Sequence, residues 1–144
     1  MDKEKIVVDT NILISALGWD GKPRALFMRI LDSEFELLIS RKQLFEIRRV
    51  LEYPKFSFSH EQKERFLKIL LKAANLVDTE ISIDVIKEDP SDNVLIECAM
   101  EKDARYIVSG DKHLRKLKSY KGIAIMTVEQ FLKKFNHDTE WSSN

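Results

Sequence analysis

The sequence predicts a three-layer α/β/α sandwich around a mostly parallel sheet of four to five strands, and three observations carry that expectation. Short runs rich in β-branched residues alternate with amphipathic helical patterns along the chain. Two of these runs, Ile6-Val7-Val8 and the Ile107-Val108 centre of residues 105 to 109, are apolar without alternation, as in strands buried on both faces. Hairpin signals are too few for an antiparallel fold.

The elements follow in order. Residues 6 to 8 form the first strand, and Thr10 is placed to cap a helix carrying Ile12, Leu13, Ala16 and Leu17, with Gly18 as its stop. After the turn Gly21-Lys22-Pro23, Pro23 suits the first position of a crossover helix whose stripe is Leu26, Phe27, Ile30 and Leu31. Phe35 to Ile39 is the second strand, and Ser40 caps a helix over 41 to 52 with Leu44, Ile47, Val50 and Leu51 on one arc. Tyr53-Pro54-Lys55 breaks that helix. Ser59 and Gln62 make a capping box for the next, with Phe66, Leu67, Leu70, Leu71 and Ala74 turned to the core. Residues 75 to 78 read as a short strand, and 81 to 86 as an irregular extended segment or edge strand. Asp89 caps a helix with Pro90 in its first turn, and Val94, Leu95, Cys98 and Ala99 pack inward. Residues 105 to 109 are the next strand, 112 to 117 a short basic helix and 123 to 126 the last strand. Thr127 with Gln130 caps a final helix to about Phe135.

A chain of 144 residues with 44% hydrophobic content suits one domain, expected over 1 to 136, with 137 to 144 a polar tail that frays. No apolar run approaches the ~20 residues of a membrane span, and Met1 to Lys5 lacks a signal-peptide pattern, so a cytoplasmic location is expected, with no membrane partner. The lone Cys98 fits a core position. Twenty-four basic residues balance twenty-four acidic ones, which argues against nucleic-acid binding through an overall field. Local patches must serve instead: Lys112, His113, Arg115, Lys116, Lys118 and Lys121 crowd together, and Arg41, Lys42, Arg48 and Arg49 form a second group. His60, His113 and His137 are scattered and read as surface residues.

Chemistry enters with the acids. Asp9 and Asp111 follow the two most apolar strands, whose carboxyl ends right-handed crossovers place on one edge of the sheet. Glu46 and Asp92 sit in early turns of helices leaving that edge. Four converging carboxylates need positive charge among them, and oxygen donors without paired His or Cys select Mg²⁺ or Mn²⁺. Two such ions can clamp the attacking and leaving oxygens of a phosphodiester.

Asp9-Thr10-Asn11 after a buried strand, Glu46 on a later helix, the run Asp89-Pro90-Ser91-Asp92-Asn93 and Ser109-Gly110-Asp111 after another strand together resemble the PIN domain family. The resemblance covers about residues 4 to 135 and is nearest the single-domain prokaryotic branch of toxins from toxin–antitoxin pairs. It implies a metal-dependent ribonuclease with Asp9, Glu46, Asp92 and Asp111 as catalytic and metal-binding acids, supported by Asn11, Asn93 and Ser109. An RNA substrate, a 3′-hydroxyl product, a small antitoxin partner and a homodimer follow from the same resemblance. Lys112, Arg115, Lys116 and Lys118 are then candidates for the RNA backbone. One departure stands: the family's third acid falls where this chain has Asn93, so either Asp92 substitutes through a small shift of the helix start or the site has three acids and an amide. A degenerate domain that only binds RNA or protein is the alternative. A phosphatase with Asp9 as nucleophile fits less well, because Asn11 is not the acid that would serve as its proton donor.

Overall fold

In the computed structural model, which describes residues 3–87 and 89–136, six strands form one sheet in the order β3-β2-β1-β4-β6-β5. In chain order the elements are β1 (Glu4–Val8), α1 (Thr10–Gly18), α2 (Lys22–Leu31), β2 (Phe35–Ser40), α3 (Arg41–Leu51), α4 (His60–Ala73), β3 (Ala74–Val77), α5 (Pro90–Glu101), β4 (Tyr106–Val108), α6 (Lys112–Leu117), β5 (Ser119–Tyr120), β6 (Ile123–Met126) and α7 (Val128–Lys134). Every neighbouring pair is parallel except β5 with β6. The apolar strands β1 and β4 lie at the centre, where neither face meets water.

Alternation within those strands builds two cores. Ile6, Val8, Leu37, Ile39 and Val108 face the layer of α1, α2, α3, α4 and α7, whereas Val7, Leu38, Ile107 and Ile125 face α5 and α6. Cys98 is wholly buried in the second core, where loss of water pushes its thiol up to about 12.

Several details differ from the sequence expectation, each for a local reason. The sixth strand, β5, pairs with β6 through Lys121 and Gly122, both at positive φ; the tight hairpin escapes notice because Lys-Gly is not a usual sequence for it. The α1 cap is Asp9, whose carboxylate accepts the Asn11 N–H, and Thr10 is the first helical residue. Leu31 and Leu71, expected in the core, are 42% and 46% exposed. Residues 81 to 86 form no strand. Their amides are held by side chains of α5 spaced four apart: Glu101 accepts from Glu80 and Ile81, Glu97 from Ile83, and Asn93 from Val85 and Ile86. The polar tail expected at 137 to 144 lies outside the described residues.

The break after α3 becomes a 3-10 turn, Pro54–Phe56. Phe56 stacks on Phe58 at 5.3 Å, and both rings lie against Trp19. That aromatic group anchors the stretch carrying Tyr53 and Lys55 beside the carboxyl edge of the sheet.

Candidate functional site

The parallel arrangement of β1 and β4 brings their carboxyl ends side by side. The Asp9 N–H donates to the Val108 carbonyl at 2.9 Å, and the Ser109 N–H to that of Met126 at 2.8 Å. Above this edge opens a cavity of 340 Å³ whose walls include Asp9, Thr10, Asn11, Glu46, Asp89, Asp92 and Asp111. All four acids singled out in the sequence therefore line one space, although they come from the junction of β1 with α1, from α3, from α5 and from the turn after β4.

Ser109, fully buried, ties the two strand ends together. Its hydroxyl donates to Asp9 Oδ2 at 2.7 Å and accepts the Asp111 N–H at 3.0 Å. Asp9 Oδ1 takes the Asn11 N–H, so both oxygens of this carboxylate are engaged. Asp111 caps α6, its Oδ1 accepting from the backbone of His113 at 2.8 Å and Leu114 at 3.2 Å. Burial raises the Asp9 pKa, opposed by the bonds from Ser109 and Asn11 and reinforced by the charges of Asp111 and Asp89.

Glu46 is held differently. Thr10 Oγ1 donates to Glu46 Oε1 at 2.6 Å, while Gln43 Nε2 reaches the Val8 carbonyl at 2.7 Å and Thr10 Oγ1 at 3.4 Å. Gln43 is wholly buried, and it fastens α3 to the end of β1. Its signal was present in the sequence: a polar residue four before Ile47 and seven before Val50 falls on the buried arc of that helix.

Asp92 is 4% exposed, and its Oδ2 is buried without a hydrogen-bond partner. Burial, followed by the neighbouring charges of Asp111 and Asp89, pushes its pKa up to about 8. Asn93 points elsewhere: its Oδ1 accepts from Val85 and Ile86, and its Nδ2 donates to the Ile86 carbonyl. The acid at this turn that faces the cavity is thus Asp92, and Asn93 is a loop anchor.

Asp89, His113 and Lys55 were not anticipated as neighbours of the site, whereas Arg49 belongs to the second basic group of the sequence. Asp89, read only as a helix cap, does accept the Ser91 N–H and hydroxyl but also lines the cavity. His113, read as a surface residue, has its Nδ1 buried and unpartnered, 3.7 Å from Asp111 Oδ1. Donor atoms of Asp92, Asp111 and His113 all lie within 4.8 Å of one another, a grouping that does not include Asp9 or Glu46. Finally, the cations on the cavity wall are Arg49 and Lys55, whereas Lys112, Arg115, Lys116 and Lys118 are exposed and do not line it.

A buried carboxylate oxygen with no donor, beside two other acids, is costly unless a proton or a bound cation neutralises it. The donor set here is mainly carboxylate oxygen, which fits a hard divalent ion. The residues present therefore fit a metal of the Mg²⁺ or Mn²⁺ type.

The comparisons agree with this architecture. The family model described as PIN domain matches residues 5–113. Similar solved structures include VapBC2 from Rickettsia felis bound to a DNA fragment from their promoter, at 16% identity over 84% of this chain and 96% of that one, with a TM-score of 0.59. Another is PAE2754 from Pyrobaculum aerophilum, at 19% identity over 92% of this chain and 88% of that one, also with a TM-score of 0.59. No curated protein matches the sequence.

Proposed function

The chain belongs to the PIN domain family, and on that premise we propose that it is a Mg²⁺- or Mn²⁺-dependent ribonuclease acting at the cavity above β1 and β4. The observation that carries this reading is the buried, unpartnered Oδ2 of Asp92 beside Asp111. Members of the family are generally nucleases, and the acidic cluster supplies what such chemistry requires.

Asp92 and Asp111 would hold the ion, and Asp9 and Glu46 would complete the acidic wall around it. When bound, the ion polarises the phosphoryl oxygens and offsets the charge that develops during in-line displacement. Ser109 Oγ and the Asn11 N–H both donate to Asp9 and partly offset the rise in its pKa caused by burial, and they fix its carboxyl group where it can orient an attacking water. Glu46, fixed by Thr10, also lines the cavity and can do the same. Arg49 and Lys55 face the cavity with no hydrogen bond or ion pair among the described residues, and they are placed to take the phosphates flanking the scissile bond. Lys112, Arg115, Lys116 and Lys118, exposed beyond Asp111, extend that track along the RNA. The product carries a 3′-hydroxyl. The likeness to toxins of toxin–antitoxin pairs adds a small antitoxin that covers the acidic cavity, and a homodimer as the assembled form.

Cleavage of a mixed RNA pool by the purified protein tests the reading, with Mg²⁺, Mn²⁺ or EDTA added and Asp9→Asn alongside. Metal-dependent cutting that Asp9→Asn abolishes is expected. Equal cutting by both proteins, or none by either, overturns it.

A further inference from the structure

We propose that His113 Nδ1 is a direct ligand of the divalent ion, so that the centre is a mixed nitrogen and oxygen site that favours Mn²⁺ over Mg²⁺. The inference rests on the metal-dependent reading above and goes beyond it by naming a ligand outside the acidic set.

Three observations carry it. Nδ1 of His113 is buried and has no hydrogen-bond partner, although the ring as a whole is 30% exposed. Asp111 Oδ1 is 3.7 Å from it, too far for a hydrogen bond, and already receives the N–H groups of His113 and Leu114. The third observation is independent of the ring: Asp92, 4% exposed, has an equally unpartnered Oδ2 and offers a ligand atom to the same three-residue grouping. With donor atoms of Asp92, Asp111 and His113 within 4.8 Å of one another, a small contraction brings all three to the separations of ligands around one octahedral ion, about 3 Å for neighbours and 4 Å for opposites given bonds of ~2.1 Å.

The electrostatics lead to the same place. A neutral imidazole that presents its Nδ1 lone pair to two carboxylates adds a third electron-rich atom to a site already crowded with them. A cation at the centre turns that repulsion into coordination. Mg²⁺ strongly prefers oxygen, whereas Mn²⁺ accepts imidazole alongside carboxylates, and a nitrogen donor therefore biases the choice. A protonated imidazolium would also offset the acids, and it would bind no metal through nitrogen.

Electron spin-echo spectroscopy of Mn²⁺ bound to the whole protein distinguishes these states. Modulation from a directly bound ¹⁴N is expected, changed by ¹⁵N-histidine labelling and lost in His113→Gln, whose Mn²⁺ affinity falls at least about tenfold while its Mg²⁺ affinity changes little. If Mn²⁺ binds and Asp92→Asn abolishes binding, yet no nitrogen modulation is seen, the ligand assignment is overturned and the metal centre stands. Modulation that persists in His113→Gln likewise overturns the assignment. If the wild type binds no Mn²⁺, the metal-dependent reading fails and the assignment with it. Should His113→Gln fail to fold, His60→Gln and His137→Gln measured with the same label keep the test decisive: modulation retained in both leaves His113 as the donor, and modulation lost in either overturns the assignment.

Discussion

The two helices that bring an acid to the cavity from outside the sheet, α3 and α5, do so in opposite states. Glu46 on α3 arrives with a hydrogen bond already made: Thr10 donates to it, and Gln43 secures both Thr10 and the Val8 carbonyl through Nε2, although its own Oε1 is buried without a partner. Asp92 on α5 arrives with one oxygen buried and unanswered. Side chains of comparable chemistry thus divide into a settled brace and a vacant charge, and the vacant one marks where external positive charge belongs. The fold stabilises the first locally and leaves the second dependent on a ligand.

Asp92→Asn strikes this contrast hardest. It should abolish divalent-ion binding by calorimetry and lower RNA cleavage by on the order of 10²- to 10³-fold. The metal-free variant should nevertheless melt above the wild type at pH 8, since a buried charge is removed. The sign follows from linkage. With its pKa raised to about 8 from an ordinary 3.8, Asp92 holds a proton in the folded state that the unfolded chain has released. Metal-free stability therefore falls as pH rises from about 4 to about 8 and levels off above. Thermal melts of wild type against Asp92→Asn across that range should converge at low pH and separate towards pH 8.

Gln43→Leu attacks the brace instead. It leaves the Val8 carbonyl without its donor and should cost about 1–3 kcal/mol in denaturant unfolding, while metal affinity stays near the wild-type value. If metal affinity falls as far as in Asp92→Asn, the division between brace and vacant charge is wrong. The smallest effect expected is at the cations. Arg49→Ala should weaken RNA binding and flatten its salt dependence by roughly one charge, with Lys116→Ala doing less because it lies off the cavity wall.

Much of this organisation was legible in the chain itself. Ile6-Val7-Val8 and Ile107-Val108 announced central strands because only doubly buried strands lack alternation, and the capping boxes at Ser59 and Thr127 mark helix starts where the structure has them. The gathering of Asp9, Glu46, Asp92 and Asp111 was expected from parallel topology together with the resemblance of their motifs to the family. What sequence could not decide was orientation within one turn. Asp92 and Asn93 are adjacent and equally buried, and only the direction of each side chain separates a cavity acid from a loop anchor. His113 escaped for a similar reason, since a ring two residues after an acid gives no periodic signal on a six-residue helix. The basic run after Asp111 drew attention by its density, yet the cations that reach the cavity, Arg49 and Lys55, come from α3 and the turn beyond it.

The side chains of α5 that grip residues 80 to 86 carry one last consequence, for how this stretch tolerates change in length. A continuous strand pair passes a one-residue insertion along its whole length, turning every later side chain to the opposite face. Here the backbone is moored at separate points, by Glu101, Glu97 and Asn93, with unpaired spans between them. An extra residue next to Asp84 bulges between two moorings and goes no further. Asp89 and Asp92, a few residues downstream, keep their places while the chain ahead of them varies.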